Sequence, residues 1–261
     1  MKVLAVIGNP INHSKSPRIH NNAIKFLGLD AIYTRYLLND KSLLKEKFLK
    51  LRLNGANITI PFKEEALNIA DIKDENVVKI GSANTLILKD NKIYAYNTDA
   101  PGFLQSIKDY KDIKKALILG AGGSAKAIAF ALNSKNIKCT IANRSSSRFK
   151  DFKDYKTSLY ENLQDFEFDI VINTTPAGLN NDNLPCDENL LNKLLSNAKF
   201  GCDIVYGKQT PFLNACKKHK LIFKDGADML LWQGVFAFEL FFDIKDKETL
   251  IKQAMQEALT L

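Results

Sequence analysis

Lys115-Ala116-Leu117-Ile118-Leu119-Gly120-Ala121-Gly122-Gly123-Ser124-Ala125 is the stretch that decides the fold. A short apolar run passes directly into glycines and then into small residues that continue to position 133, the pattern of strand, tight loop and helix. Glycines alone also make ordinary turns. Here the strand before, the helix after and a further strand at 138–142 complete a dinucleotide-binding unit. Gly120 permits the tight turn, Gly122 lets backbone approach a pyrophosphate, and Ala125 is small enough for close packing of helix on strand. The helix start presents free N–H groups and a partial positive charge to phosphates. Gly120, Ala121, Gly122, Gly123, Ser124 and Ala125 are therefore candidate cofactor contacts.

The next strand ends in Asn143-Arg144-Ser145-Ser146. NAD sites usually carry an acid about 20 residues after the loop, accepting from the ribose 2′-hydroxyl. No acid stands there. Arg144 can bind a 2′-phosphate by charge-assisted hydrogen bonds, with Asn143 and Ser145 as neutral donors and Lys126 or Arg148 as further candidate cations. Arg144 alone reads as an ordinary exposed strand-end residue, and the missing acid turns the choice of cofactor to NADP.

Outward from this unit, apolar runs alternate with helical patterns, which predicts α/β architecture with parallel strands. Strands are expected over 3–7, 31–38, 56–60, 169–173 and 201–205, and helices over 17–27, 42–51, 63–70 and 100–108. A hairpin of 85–88 and 92–96 turns at Asp90-Asn91. The closing helices are expected over 229–242 and 247–259, the first apolar nearly all round and hence buried. The expected organisation is two-domain. Residues 1–99 form an N-terminal α/β substrate domain, completed by C-terminal helices from about 229–261, and residues 100–228 form a Rossmann-type NADP-binding domain.

Composition narrows the class. The chain carries a formal charge of +8, but its lysines are scattered among acids and form no basic stripe, which argues against a nucleic-acid partner. Cys139, Cys186, Cys202 and Cys216 stand far apart, suggesting neither a disulfide framework nor a zinc site. His13, His20 and His219 form no metal-ligand set with the acids, and no metal is expected. The N-terminus does not read as a signal peptide, and no apolar run approaches a membrane span. The expectation is a soluble, cytoplasmic protein with small-molecule partners, as a monomer or homodimer.

Three segments of the first domain are unusually polar for strand ends: Gly8-Asn9-Pro10-Ile11-Asn12-His13-Ser14-Lys15-Ser16-Pro17, Asn57-Ile58-Thr59-Ile60-Pro61-Phe62-Lys63, and Ser82-Ala83-Asn84-Thr85 with Asn97-Thr98-Asp99. Strand ends of a parallel sheet collect on one edge, where ligands bind. Together with the glycine loop, Asn143-Arg144, Asn173-Thr174-Thr175-Pro176-Ala177-Gly178, Asp225-Gly226 and Gln233, these segments resemble the shikimate dehydrogenase family over essentially the whole chain.

The resemblance implies NADPH-dependent, reversible reduction of 3-dehydroshikimate to shikimate on the chorismate route to aromatic amino acids. It implies that Ser14 and Ser16 hold the substrate carboxylate, although Ser-Lys-Ser-Pro also reads as a helix N-cap. It implies that Thr59, Asn84, Asp99 and Gln233 bind ring hydroxyls, that Lys63 is a substrate contact as well, and that Tyr206 lies near the reacting centre. It extends the cofactor contacts to Thr174, Thr175, Pro176 and Gly226. Lys63 and Asp99 are the expected catalytic pair, Lys63 as proton donor at a helix start whose positive end works against an ammonium, Asp99 as the group that holds it. The chain departs from the family at Ala100, where glycine is frequent, with Gly102 two residues on. It departs also at Asp228, which replaces a small residue, and at Lys126, where many relatives carry arginine. A quinate/shikimate dehydrogenase using NAD and a non-catalytic dinucleotide-binding regulator are the alternatives, and intact Lys63 and Asp99 argue against the second.

Overall fold

Each apolar run of the first hundred residues becomes a strand, and the computed structural model describes residues 1–260. One compact unit comprises Met1–Gly102 with the C-terminal stretch from Leu231, and the other comprises Phe103–Leu230.

The first unit contains β1 (Lys2–Gly8), α1 (Ser16–Phe26), β2 (Ala31–Leu37), α2 (Leu44–Lys50), β3 (Gly55–Ile58), α3 (Lys63–Ile69), β4 (Ile72–Lys73), α4 (Glu75–Ile80), β5 (Thr85–Lys89) and β6 (Lys92–Tyr96). α5 (Asp99–Ser106) begins at its end. Its sheet runs β2-β1-β3-β5-β6-β4. β1 pairs in parallel with β2 and β3, but β5 is antiparallel to both β3 and β6. The sheet is therefore mixed, where alternation along the chain predicts parallel strands. The hairpin is the cause: Asp90 and Asn91 adopt φ of 51° and 57°, left-handed at both turn positions, as a two-residue primed turn requires. Side chains alternate as a pleat dictates. Ile93 and Ala95 are buried with Phe48, Ala66, Val77 and Leu86 on one face.

The second unit contains β7 (Lys115–Leu119), α6 (Gly123–Asn133), β8 (Lys138–Asn143), β9 (Lys156–Leu159), β10 (Ile170–Asn173), α7 (Glu188–Leu195), β11 (Phe200–Asp203), α8 (Pro211–Lys218) and β12 (Ile222–Lys224). α9 (Ala227–Phe242) and α10 (Glu248–Thr260) end the chain. The sheet, ordered β12-β11-β10-β7-β8-β9, is parallel throughout. From β7 the chain winds outward through β8 and β9, then returns to β10 on the other side of β7. The strand order reverses between β7 and β10, and such a switch point opens a crevice beyond the strand ends. Both strand ends there lead into predicted cofactor segments, the glycine loop after β7 and Thr174-Thr175-Pro176 after β10.

Several elements escape the sequence pattern. β9, Lys-Thr-Ser-Leu at the sheet edge, has no fully buried position, so it lacks the apolar run of a central strand. α7 and α8 are short and capped by Asp187 and Thr210. No described helix is long and apolar enough to cross a membrane.

Candidate active site

A continuous hydrogen-bonded chain of side chains runs through the first unit. Ser14 Oγ donates to Ser16 Oγ at 3.2 Å. Ser16 hydrogen-bonds the Tyr33 hydroxyl, which donates to Asn57 Oδ1 at 2.6 Å. Asn57 Nδ2 donates to Thr85 Oγ1 at 3.1 Å, and Thr85 Oγ1 to Asn84 Oδ1 at 3.0 Å. Asn84 Nδ2 reaches Asp99 Oδ1 and Thr98 Oγ1, each at 2.9 Å, and Gln233 Oε1 at 3.4 Å. Lys63 Nζ closes the chain on Asp99 Oδ2 at 2.6 Å. Ser14, Ser16, Lys63, Asn84, Asp99 and Gln233, drawn from distant parts of the sequence, thus share one network. Thr59 opens the β3–α3 connection that leads to Lys63, its methyl group turned towards Gly8, where a Cβ would come within 2.4 Å of it.

Local structure fixes each member. α5 starts where it does because Asn97 Oδ1 accepts from the N–H groups of Asp99 and Ala100, so Asp99 stands in the first helical turn. Lys63 is the first residue of α3, and its carbonyl accepts from Ala83 N–H at 2.8 Å, tying it to the segment that bears Asn84. The pair is largely shielded, with side-chain exposures of 13% for Lys63 and 7% for Asp99. Burial pushes the Tyr33 hydroxyl well above the ordinary tyrosine range, so it remains a donor to Asn57.

The serine loop differs from the N-cap reading. Lys15 is the α1 cap residue and no side chain caps the helix there, although Ser14 Oγ accepts from Ser16 N–H at 3.3 Å. The hydroxyls are oriented by each other and by Arg35, whose Nε and Nη2 both donate to the Ser14 carbonyl, at 3.0 and 2.6 Å.

Arg35, Tyr33, Asn57, Thr85 and Thr98 are network members that sequence reasoning missed. One signal was available for Asn57: every residue of β3 is buried, and an amide in a wholly buried strand needs partners.

In the second unit, Gly120 adopts φ of 105°, a conformation that favours glycine, and a Cβ there would meet Thr174 Oγ1 at 2.8 Å. At Gly122, the N-cap of α6, an added Cβ would meet no atom of a more distant described residue within 4 Å. The backbone is open where a phosphate must approach, so the cradle fits a dinucleotide pyrophosphate. Ala121 and Ala125 are buried, while Gly123 and Ser124 are half-exposed in the first turn of α6.

Thr174 and Thr175 point partly inward: Thr174 Oγ1 donates to the Leu119 carbonyl and Thr175 Oγ1 to Asn173 Oδ1. Pro176 is exposed. Gly226 is glycine for a packing reason, since a Cβ would lie 2.2 Å from the Ile204 carbonyl oxygen. Tyr206 lies in the loop after β11, in this unit rather than with the other predicted substrate contacts.

Arg144 is exposed at the end of β8, and Asn143 Nδ2 donates to the Ser145 carbonyl, closing the turn around it. Lys126 is 9% exposed and pairs with Asp151 at 3.3 Å, with Arg148 Nε 3.8 Å from the same oxygen. The first-turn lysine is thus engaged by an acid, which weakens the reading of Lys126 as an available phosphate contact.

Two departures are also accounted for. Gly102, rather than position 100, takes the close approach, because a Cβ there would lie 2.7 Å from Gln233 N. Asp228 pairs with Lys224 at 3.2 Å.

Comparison with known proteins gives the same division. Residues 6–86 match the family described as Shikimate dehydrogenase substrate binding domain, and residues 103–181 match Shikimate / quinate 5-dehydrogenase. A Shikimate dehydrogenase (NADP(+)) of Helicobacter hepaticus is 49% identical over 91% of this chain and 90% of its own length. A solved shikimate 5-dehydrogenase of Thermus thermophilus, in complex with NADP(H) and shikimate, superposes with a TM-score of 0.85 at 30% identity, covering 99% of this chain and 100% of that one. Shikimate dehydrogenase 1 of Peptoclostridium difficile gives 0.88 at 27% identity, covering 100% and 98%.

Proposed function

The chain belongs to the shikimate dehydrogenase family, and from that premise we propose that it is an NADP-dependent shikimate dehydrogenase. It reversibly reduces 3-dehydroshikimate to shikimate in chorismate and aromatic amino acid biosynthesis. The observation that carries the mechanism is the 2.6 Å Lys63–Asp99 pair at the end of a side-chain network that begins at Ser14 and Ser16.

Ser14 and Ser16 hold the substrate carboxylate, and Thr59, Asn84, Asp99 and Gln233 take the ring hydroxyls. Tyr206 is the further substrate contact that the family resemblance implies. Gly120, Ala121, Gly122, Gly123, Ser124 and Ala125 would hold the cofactor pyrophosphate through the glycine loop and the start of α6. Asn143, Arg144 and Ser145 would take the 2′-phosphate, and Thr174, Thr175, Pro176 and Gly226 border the remainder. NADPH, when bound, supplies the hydride that adds to the ketone carbon.

Lys63 does the proton chemistry. As the carbonyl oxygen takes on negative charge, the Lys63 ammonium donates a proton to it and the alcohol results. In the oxidation direction the neutral amine removes the hydroxyl proton. Asp99, held on its other oxygen by Asn84, keeps Nζ aimed. General acid–base catalysis of this kind contributes about 10²–10⁴-fold. The shielding of the pair strengthens its electrostatic interaction relative to open solvent.

Small molecules are the partners in this reading. Four unpaired cysteines fit a reducing compartment such as the cytoplasm, and the assembly proposed is a monomer or homodimer. The test is oxidation of shikimate and of quinate, each with NADP⁺ and NAD⁺, followed at the absorbance of reduced nicotinamide. Turnover highest with shikimate and NADP⁺ is expected. Preference for quinate with NAD⁺ would assign the chain to that activity, and silence in all four combinations would make it a non-catalytic dinucleotide binder.

A further inference from the structure

Asp203, the last residue of β11, is fully buried in the second unit, and no ion pair to it is found among the described residues. Burial pushes its carboxyl up to about 6, the penalty for a carboxylate without a cation. Such a group is costly to keep unless its oxygens are satisfied, and here three donors satisfy them. Oδ1 accepts from Asn173 Nδ2 and from Val205 N–H, each at 3.0 Å, and Oδ2 accepts from Thr210 Oγ1 at 2.6 Å.

The donors come from the end of one strand and from two places in the β11–α8 connection. Asn173 ends β10, Val205 directly precedes Tyr206 in the loop after β11, and Thr210 caps α8 at the end of that loop. A carboxylate is acceptor-only, with room for several donors at once, and it thereby sets which way its amide neighbour faces. With its NH₂ turned to Asp203, Asn173 presents Oδ1 to Thr175, which donates both its N–H at 3.0 Å and its hydroxyl at 2.7 Å. Thr175 Oγ1 in turn accepts from Ala177 N–H at 3.2 Å. Gly178, at φ of 84°, packs against Thr210, where a Cβ would come within 2.9 Å of the threonine Cβ. One carboxylate orders both the 174–178 loop and the 204–206 loop.

We propose that Asp203 is a positioning residue that locks the 174–178 and 204–206 loops in the form that binds NADP. The inference rests on the reading of this unit as the NADP-binding one. Asp203 itself touches neither reactant in this account. Its effect passes through Asn173, Thr175 and Val205.

The test is calorimetric titration of the purified chain with NADP⁺ and separately with shikimate, for wild type, Asp203→Ala, Asp203→Asn and Thr210→Val. Asp203→Ala leaves all three donors without their acceptor and is expected to weaken NADP⁺ binding about tenfold or more, the scale of losing a hydrogen-bonded charged group, with a distinctly smaller loss of shikimate affinity, since Tyr206 is the one proposed substrate contact on the ordered loops. Asp203→Asn recovers most of the loss, because its amide oxygen still accepts from Asn173 and Val205 while its NH₂ donates to Thr210. Thr210→Val, nearly isosteric, keeps the fold and is expected to lower NADP⁺ affinity several-fold and to speed amide exchange at Val205, Thr175 and Ala177. It decides the matter if Asp203→Ala does not fold. Unchanged NADP⁺ affinity in folded Asp203→Ala, or unchanged affinity and exchange in Thr210→Val, overturns the proposal. Equal loss of NADP⁺ and shikimate binding would also overturn it, as the mark of a general packing role. A wild-type chain that fails to bind NADP⁺ removes the cofactor reading itself, and this inference with it.

Discussion

Lys63 Nζ and Asp99 Oδ2 meet at 2.6 Å, although thirty-six residues separate them, and each belongs to the first turn of its own helix. The Asp99 carboxylate is held on its other oxygen by Asn84 at 2.9 Å, so the pair has little freedom to turn away. Asp99→Asn keeps the shape and the Asn84 contact but removes the charge that aims the ammonium. Turnover is expected to fall by about 10²-fold or more, within the range for a misplaced general acid, with NADP⁺ affinity unchanged. Steady-state kinetics together with direct NADP⁺ titration check this, and a variant with wild-type kcat would remove Asp99 from the mechanism.

Arg144→Asp places an acid where a ribose 2′-hydroxyl could use it and a 2′-phosphate could not. The Michaelis constant for NADPH is expected to rise by about 10–100-fold, the loss of charge-assisted bonds, while that for NADH changes little or falls. Equal effects on the two cofactors would show that Arg144 does not read the phosphate.

The glycines of the second unit separate folding from binding. At Gly226 an added Cβ would lie 2.2 Å from the Ile204 carbonyl oxygen, so Gly226→Ala is expected to lower the melting temperature or prevent folding. At Gly122 an added Cβ would meet no atom of a more distant described residue within 4 Å and φ is −92°, so Gly122→Ala folds normally. Its cost appears only as weaker NADP⁺ binding, because the methyl group occupies the approach of the phosphate. Wild-type NADP⁺ affinity in Gly122→Ala would place the pyrophosphate elsewhere.

His20 is buried, stacks on Tyr33 at 4.2 Å between ring centroids, and has no hydrogen-bond partner for either ring nitrogen among the described residues. Burial lowers its pKa from the ordinary 6.5 to about 3. The unfolded chain therefore binds a proton that the folded chain refuses. This contribution to stability is fully present above pH 6.5 and is lost as the pH falls towards 3. His20→Phe keeps a stacked ring without the titration. Chemical denaturation at stepwise pH is expected to show a shallower loss of stability between about pH 6.5 and 4 in the variant than in wild type, and parallel curves would rule out His20 as the source.

The cofactor unit was legible because its signals are local. A strand, three glycines and a stretch of small residues sit close together in the chain, and the observed β7–loop–α6 agrees closely with that reading. The place of Arg144 at the end of β8 was legible for the same reason. The Lys63–Asp99 pair was expected through family resemblance, since neither composition nor periodicity distinguishes Lys63 from other lysines. What lay beyond the sequence is long-range pairing. The antiparallel place of β5 depends on which edge the hairpin joins. The links from Ser16 through Tyr33 and Asn57 to Asn84 run across β2, β3 and β5, and no spacing along the chain announces them. Asp203 was passed over because one acid at a strand end looks solvated until its three donors are seen.

NADPH oxidation on addition of 3-dehydroshikimate, with shikimate quantified as product, tests the central claim most directly when run on wild type and Lys63→Ala side by side. The wild-type chain is expected to form one shikimate for each NADPH consumed. Lys63→Ala is expected to bind shikimate nearly as wild type does while turning over about 10²–10⁴-fold more slowly. No NADPH consumption by the folded wild-type chain, or near-normal turnover by the variant, would contradict the account.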